Sequence, residues 1–334
     1  MENYRLLVLS LVLTVCHHFP ASAFDVIAHR GASGYLPEHT LEATTLAFAQ
    51  RPDYIEQDVV ITKDGVSVVL HDIHLETVTN VEEIFPQRAR DDGRWYALDF
   101  TLDELRTLQV HERTNENGTP VFASRYQGNN AQFRIATLDE HIELIQQLNR
   151  KFGRQTGFYT EIKSPAWHRA QGVDISAIVL AQLQKRGLTS PTSKLIIQCF
   201  DFNEVKRLRE TFHYKGKLVQ LLGENAWGES DTDYSALMTV KGMKKVAKYA
   251  NGIGPWIPQL LDSHTASSDS VKTPDWLRTA QSLKLMVHPY TFRTDALPSG
   301  LSEEALLTIL TEQLKVDGVF TDHVPPVTSF IYAQ

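Results

Sequence analysis

The chain has 334 residues, of which 42% are hydrophobic and 22% charged, with a net charge of −7. That is an ordinary globular composition, long enough for one or two domains or for a single α/β barrel. The mild acidity argues against nucleic acid, which calls for a basic stripe, but leaves an anionic small molecule open because local charge can oppose net charge.

The first 23 residues read as a signal peptide. Arg5 gives the positive end, Leu6 to Cys16 an apolar run, and Ala21-Ser22-Ala23 a small-residue cleavage site. The run is well short of the ~20 residues needed to span a bilayer, so no transmembrane segment is expected. The mature chain is then 24–334 and exported. Cys16 suggests a lipid-anchored alternative, which Val15 fits poorly. Cleavage leaves Cys199 alone, so no internal disulfide is expected and the core must hold the fold.

Val26-Ile-Ala28 is a short apolar run ended by His29-Arg30-Gly31, a buried strand meeting a turn. The glycines there are expected to let backbone come close to a ligand. Thr40 to Gln50 predicts a helix. Tyr54 to Ile61 predicts a strand that carries two carboxylates, Glu56 and Asp58. After the Lys63-Asp64-Gly65 turn, Val66 to Leu70 predicts a strand ending at His71-Asp72.

From Ile73 to Phe133 the pattern loosens into Asp, Arg, Asn and Gly, with one capping box at Thr101 and Glu104. The stretch is too long for an ordinary connection and reads as an inserted lobe or lid. Alternation then resumes. Helices are predicted from the capping box at Thr137 and Glu140, and over Ile175–Lys185, Asn203–Thr211, Lys244–Ala250, Trp276–Ser282 and Glu303–Gln313. Strands are predicted at Phe158–Ile162, Lys194–Cys199, Leu218–Leu222, Gly252–Gly254, Leu285–Val287 and Gly318–Phe320. Some eight alternations favour a (β/α)8 barrel of the TIM type with an inserted lobe. A doubly wound sheet fits less well, because no Gly-x-Gly-x-x-Gly follows the first strand.

Such a barrel works at the C-terminal ends of its strands. His29, Arg30, His71, Asp72, Glu161, Lys163, Gln198, Trp256, His288 and Asp322 collect there. Glu56 and Asp58 are two apart on a strand and share a face. Buried together, they need a cation or an Arg or Lys partner. Adding Glu161 gives three hard oxygen ligands and no thiol, which suits Mg²⁺ or Ca²⁺ better than zinc. Lys163 shares a face with Glu161 and either pairs with it or, like Arg30, contacts a phosphate. His29 and His71 are the candidate acid and base. Gln198 and Trp256 are expected to line the pocket. Asp322 has a plainer reading as the cap of a terminal helix.

The run from His29 to Thr40, with Glu56-x-Asp58, His71-Asp72, Glu161-Ile-Lys163, Gln198-Cys-Phe200 and Thr321-Asp322, resembles glycerophosphodiester phosphodiesterases, and most closely their periplasmic bacterial branch. The resemblance covers essentially the whole mature chain. It implies a barrel that hydrolyses glycerophosphodiesters such as glycerophosphocholine and glycerophosphoethanolamine to sn-glycerol 3-phosphate and an alcohol. It implies one divalent cation, usually calcium, held by Glu56, Asp58 and Glu161. It makes His29 and His71 the acid–base pair, and Arg30 and Lys163 phosphate contacts. It also implies a periplasmic location. A homodimer stays open. Two competing readings are a phospholipid-cleaving phosphodiesterase of the same superfamily and a non-catalytic binding protein on the same barrel. The first needs a short disulfide-closed loop, which Cys199 alone cannot supply. The intact histidines and carboxylates argue against the second.

Overall fold

The computed structural model describes residues 24–128, 131–261 and 271–333. The expected signal peptide and Cys16 lie outside them. The central sheet begins with β1 (Asp25–Ala28), β2 (Tyr54–Ile61) and β3 (Ser67–Val69). It continues with β4 (Gly157–Ile162), β5 (Leu195–Cys199), β6 (Lys217–Leu222), β7 (Gly252–Pro255), β8 (Met286–Val287) and β9 (Gly318–Thr321). Its order is β8-β7-β6-β5-β4-β2-β1-β9, with every neighbour parallel. Asp317 N–H donates to Val287 O (3.0 Å) and Phe320 N–H to Pro289 O (2.9 Å), which brings β9 round to β8. The result is the (β/α)8 barrel expected from the alternation.

The helices between these strands are α1 (Leu41–Ala49), then two short ones in the lobe, α2 (Val81–Ile84) and α3 (Leu102–Leu105), then α4 (Leu138–Phe152). They continue with α5 (Pro165–Ala170), α6 (Ile175–Lys185), α7 (Phe202–Glu210), α8 (Tyr234–Leu237) and α9 (Val240–Val246). The last are α10 (Asp275–Ser282), α11 (Glu303–Thr308) and α12 (Val324–Tyr332). Local chemistry sets their starts. Thr101 and Thr137 each form the expected capping box, and the Asp201 carboxylate accepts from Asn203 and Glu204 N–H. None of the described helices is long and apolar enough to cross a membrane.

Two expectations need correction. The helix expected at Lys244–Ala250 lies four residues earlier, where Thr239 caps it. The strand before His71 is not a barrel strand. β3 pairs antiparallel with the far end of β2, Val59 to Ile61. β2 is eight residues long and its end outruns the barrel wall, so the Lys63-Asp64-Gly65 turn folds the chain back onto it. His71 therefore arrives on a hairpin.

The interior of the barrel is layered by strand period. Ile27, Tyr54, Tyr159, Ile196, Val219 and Phe320 form one apolar cluster. Two residues further along, the same faces carry His29, Glu56, Glu161, Gln198, Leu221 and Asp322. Register confirms the level: Asp58 is opposite Glu161, and Glu161 opposite Gln198. The outward faces, among them Ile55, Val59, Phe158 and Ile197, pack under the helices in the largest cluster. The stretch between β3 and α4 has its own core around Leu75, Trp95, Phe100, Leu105 and Leu108.

Candidate active site

Where the apolar layer gives way to the polar one, a cavity of about 120 Å³ opens. Its walls include His29, Arg30, Glu56, Asp58, His71 and Glu161. Gln198 and Trp256 also line it, as expected, together with Phe200, Tyr290 and Phe320, which were not anticipated.

One carboxylate oxygen from each of Glu56, Asp58 and Glu161 lies within 4.8 Å of the others, and all three residues are buried. Burial first, then Asp58 and Glu161, push the Glu56 carboxyl well above its ordinary range. Burial and Asp58 also raise Glu161, to about 8, against the pull of Lys163. Burial would raise Asp58 too, yet His39, His71 and Lys163 together hold it well below the usual range. Such crowding is costly for the protein alone and is relieved by a cation. Asp58 Oδ1 has no hydrogen-bond partner among the described residues. An all-oxygen donor set with a free lone pair fits a hard divalent cation.

Several residues hold this triad in place. Glu56 accepts from Arg30 N–H (2.9 Å) and from Gln198 Nε2–H (2.7 Å). Asp58 Oδ2 is 2.8 Å from His39 Nε2. His39 sits at φ 60 and Arg30 at φ 58, so the loop between β1 and α1 is turned tightly at both ends. Gly31, at φ 79, is needed because a Cβ there would meet the Ala43 backbone at 3.0 Å. At Gly34 a Cβ would strike the His323 ring. These glycines therefore let the loop close on α1 and on His323, not on a ligand.

The two histidines are built alike. His29 Nδ1 is 2.6 Å from Asp322 Oδ1, and His71 Nδ1 is 2.7 Å from Asp72 Oδ1. Neighbouring cations and the histidines hold Asp322 and Asp72 well below the carboxylate range despite burial, so each is an acceptor and Nδ1–H donates. His29 Nε2 lies 3.7 Å from Glu56 Oε2. Burial and Arg30 lower both rings, His29 to about 3. Asp322 is thus not a helix cap: His323 occupies that position in α12 and makes no side-chain cap bond.

Three arginines stand behind these carboxylates. Arg113 donates to Asp72 Oδ2 (2.6 Å) and to Glu38 Oε1 (2.6 Å). Glu38 in turn accepts from Arg30 (2.8 Å). Arg125 and Arg293 each reach Asp322 Oδ2 at 2.7 Å. Sequence reasoning missed Glu38, Arg113, Arg125, Arg293 and the role of His39. Glu38 and His39 lay within the motif, but nothing in its spacing says where they point.

Lys163 does not line the cavity wall. Its Nζ lies 2.8 Å from Glu161 Oε1 and 3.9 Å from Glu229 Oε2, so the plainer pairing is what the structure shows. His288 is lower in the barrel, with Nδ1 3.2 Å from the Tyr159 hydroxyl and Nε2 3.5 Å from Asp25 at the start of β1.

Residues 29–325 match the model of the glycerophosphoryl diester phosphodiesterase family. The chain is 39% identical over 315 residues to a glycerophosphodiester phosphodiesterase of Haemophilus influenzae, covering 89% of this chain and 86% of that one. It is 35% identical over 320 residues to one of Treponema pallidum, covering 90% of each. Among solved structures, one from Silicibacter pomeroyi superposes with a TM-score of 0.70 at 22% identity, over 94% of both chains. An Oleispira antarctica phosphodiesterase solved with the product sn-glycerol-3-phosphate gives a TM-score of 0.62 at 19% identity, over 92% of this chain and 96% of that one. These likenesses establish the barrel. On the family match and the two relatives, the chain belongs to the glycerophosphoryl diester phosphodiesterase family.

Proposed function

We propose that this phosphodiesterase cleaves small glycerophosphodiesters, such as glycerophosphocholine and glycerophosphoethanolamine, with His29 and His71 as its acid–base pair. The products are sn-glycerol 3-phosphate and an alcohol. One observation carries the reading. Two carboxylate-held histidines and Arg30 share a cavity with three clustered carboxylates.

Glu56, Asp58 and Glu161 would hold a divalent cation, calcium by preference, which would supply positive charge beside a glycerol hydroxyl and the phosphate. Arg30 contributes a second, permanent charge at the phosphate. Lys163 acts through Glu161, whose carboxylate it steadies. One histidine Nε2 takes the proton of the hydroxyl next to the phosphate as that oxygen bonds to phosphorus. The bond to the departing alcohol breaks, and the other histidine gives that alkoxide its proton. The roles then reverse: water, deprotonated by the second histidine, opens the cyclic phosphate, and the first returns its proton to the glycerol oxygen. Asp322 and Asp72 stabilise whichever imidazole is charged. Gln198 orients Glu56, and Trp256 walls the glycerol side.

A coupled assay for glycerol 3-phosphate, with calcium and with chelator, tests the activity. Absence of product from both diesters in calcium sinks it. A substrate lacking the adjacent hydroxyl tests the route, since full turnover of it rules out cyclisation. The apolar leader and its Ala-Ser-Ala site support an exported, periplasmic mature chain beginning at Phe24. The mass of the secreted protein checks that start.

A further inference from the structure

The two most exposed large hydrophobic side chains among the described residues are Tyr332 (82%) and Phe152 (63%). Both lie at the end of the barrel away from the catalytic cavity. Phe152 closes α4, which leads into the start of β4, and Tyr332 closes α12, which runs back from the end of β9. Helix α1 ends at the same level, ahead of the start of β2. A groove of about 650 Å³ opens there. Phe48, Leu148 and Phe152 give it apolar walls, and Arg51 and Arg154 border it. The Phe48 and Phe152 ring centroids are 6.0 Å apart. The Arg154 guanidinium lies 4.2 Å from the Phe48 centroid and within electrostatic reach of Tyr332. Exposed aromatic rings and guanidinium groups thus share one surface.

The charge of this end runs against that of the chain, which is −7 overall. Arg150 and Lys151 occupy the last turn of α4 beside Phe152. Among the described residues, none of Arg51, Arg150, Lys151 and Arg154 lies within 4.0 Å of a carboxylate. Asp53, the nearest carboxylate along the chain from Arg51, is already engaged. It accepts from Val26 N–H (3.0 Å) and lies 3.9 Å from Lys194 Nζ. An exposed apolar patch ringed by unpaired cations calls for an occupant that is both apolar and anionic. A second copy of the chain fits poorly, because a two-fold contact would set Arg51 and Arg154 against their own copies. An anionic bilayer fits both features. Aromatic rings settle at its headgroup level, and guanidinium groups fork onto its phosphates.

We infer that the end of the barrel opposite the catalytic cavity docks on an anionic phospholipid surface, with Phe152 and Tyr332 entering the interface and Arg51 and Arg154 meeting headgroup phosphates. Docked this way, the protein turns its catalytic mouth away from the bilayer and toward water. The test is cosedimentation of the full chain with vesicles, in chelator so that calcium bridges nothing. One set of vesicles is pure phosphatidylcholine, and the other is a mixture of phosphatidylglycerol and phosphatidylcholine. The wild type should partition onto the mixed vesicles about tenfold more strongly, and added salt should erase most of that difference. Phe152→Ser should lower partitioning onto the mixed vesicles about tenfold, and Arg51→Gln about fivefold. Both side chains are exposed, so neither change disturbs the core. The N-terminal leader is common to all three proteins, so the comparison does not depend on its removal. Equal partitioning of the wild type onto both kinds of vesicle, or binding to neither, overturns the inference. So does mixed-vesicle binding by both variants that stays within twofold of wild type.

Discussion

Glu56, Asp58 and Glu161 reach the site from strands β2 and β4, whereas Arg113 and Arg125 reach it from the irregular stretch between β3 and α4. The strand residues face the cavity itself, at a level set by a hydrogen-bonded register. The two lobe arginines are buttresses. Arg113 bonds Asp72 and Glu38, and Arg125 bonds Asp322 and Asp295. Through these carboxylates they reach His71, Arg30 and His29. The barrel strands thus carry the clustered carboxylates, the β2–β3 hairpin brings His71, and the two lobe arginines supply charge that holds them. Removing one partner of a buried ion pair costs several kcal/mol because the other charge is left unpaired, so the lobe is tied to the barrel by its own electrostatics.

The division predicts a graded set of losses. The largest belongs to the histidines proposed as the acid–base pair. His29→Ala or His71→Ala should lower kcat by about 10³-fold, within the range general acid–base groups supply, with the circular dichroism spectrum unchanged. A folded His29→Ala protein that turns over normally would break the assignment of the acid–base pair.

Next comes the carboxylate cluster. Glu56→Gln should lower kcat by about 10²-fold and abolish the rise in melting temperature that calcium gives the wild type. A calcium-induced rise equal to wild type would show that Glu56 is not a ligand.

Arg113→Met then tests the lobe's share. It removes the fork between Asp72 and Glu38, so His71 and Arg30 both lose their support. A fall in kcat of about 10- to 100-fold is expected, with a smaller change in KM. Arg113→Lys should recover only part of it, since an ammonium cannot span both carboxylates as a guanidinium does. If Arg113→Met matches wild-type kcat, the lobe is a cover and not a support.

The same contrast governs what could be read before the fold was known. Period-two spacing was enough to place Glu56 and Asp58 on one face, and the alternation of elements was enough for the barrel. The shared face of Glu161 and Lys163 also holds, though it shows as an ion pair and not as two cavity groups. His288 misleads because β8 is only two residues long and the residue after it is still deep in the barrel. Arg113 and Arg125 were not legible at all. Their partners lie 41 and 197 residues away along the chain, in a segment with no periodicity to say which way a side chain points. Asp322 looked like a cap because a polar residue before a helix usually is one. Its 2.6 Å bond to His29, and the two arginines on its other oxygen, show otherwise.

The smallest effect lies where lobe and barrel join, at α4. His141 there is fully buried, with Nδ1 3.1 Å from the Thr44 hydroxyl and Nε2–H donating to His39 O at 3.0 Å. It backs the turn that carries His39, and so Asp58 behind it. Burial, then His39, lower this ring to about 3. In the unfolded chain it titrates near the ordinary histidine value of about 6.5. Between those values the unfolded state holds the extra proton, so stability falls as pH drops from about 6.5 toward 3. The slope from one such group is about 1.4 kcal/mol per pH unit, or about 2 kcal/mol between pH 6.5 and pH 5. His141→Gln keeps a hydrogen-bonding side chain but cannot titrate, so its stability should fall less over that interval by about that amount. Urea unfolding of both proteins at pH 5 and 6.5, with chelator in each, measures the difference. Identical pH slopes would mean that His141 is not held neutral in the fold, and that the support beneath His39 is looser than its hydrogen bonds imply.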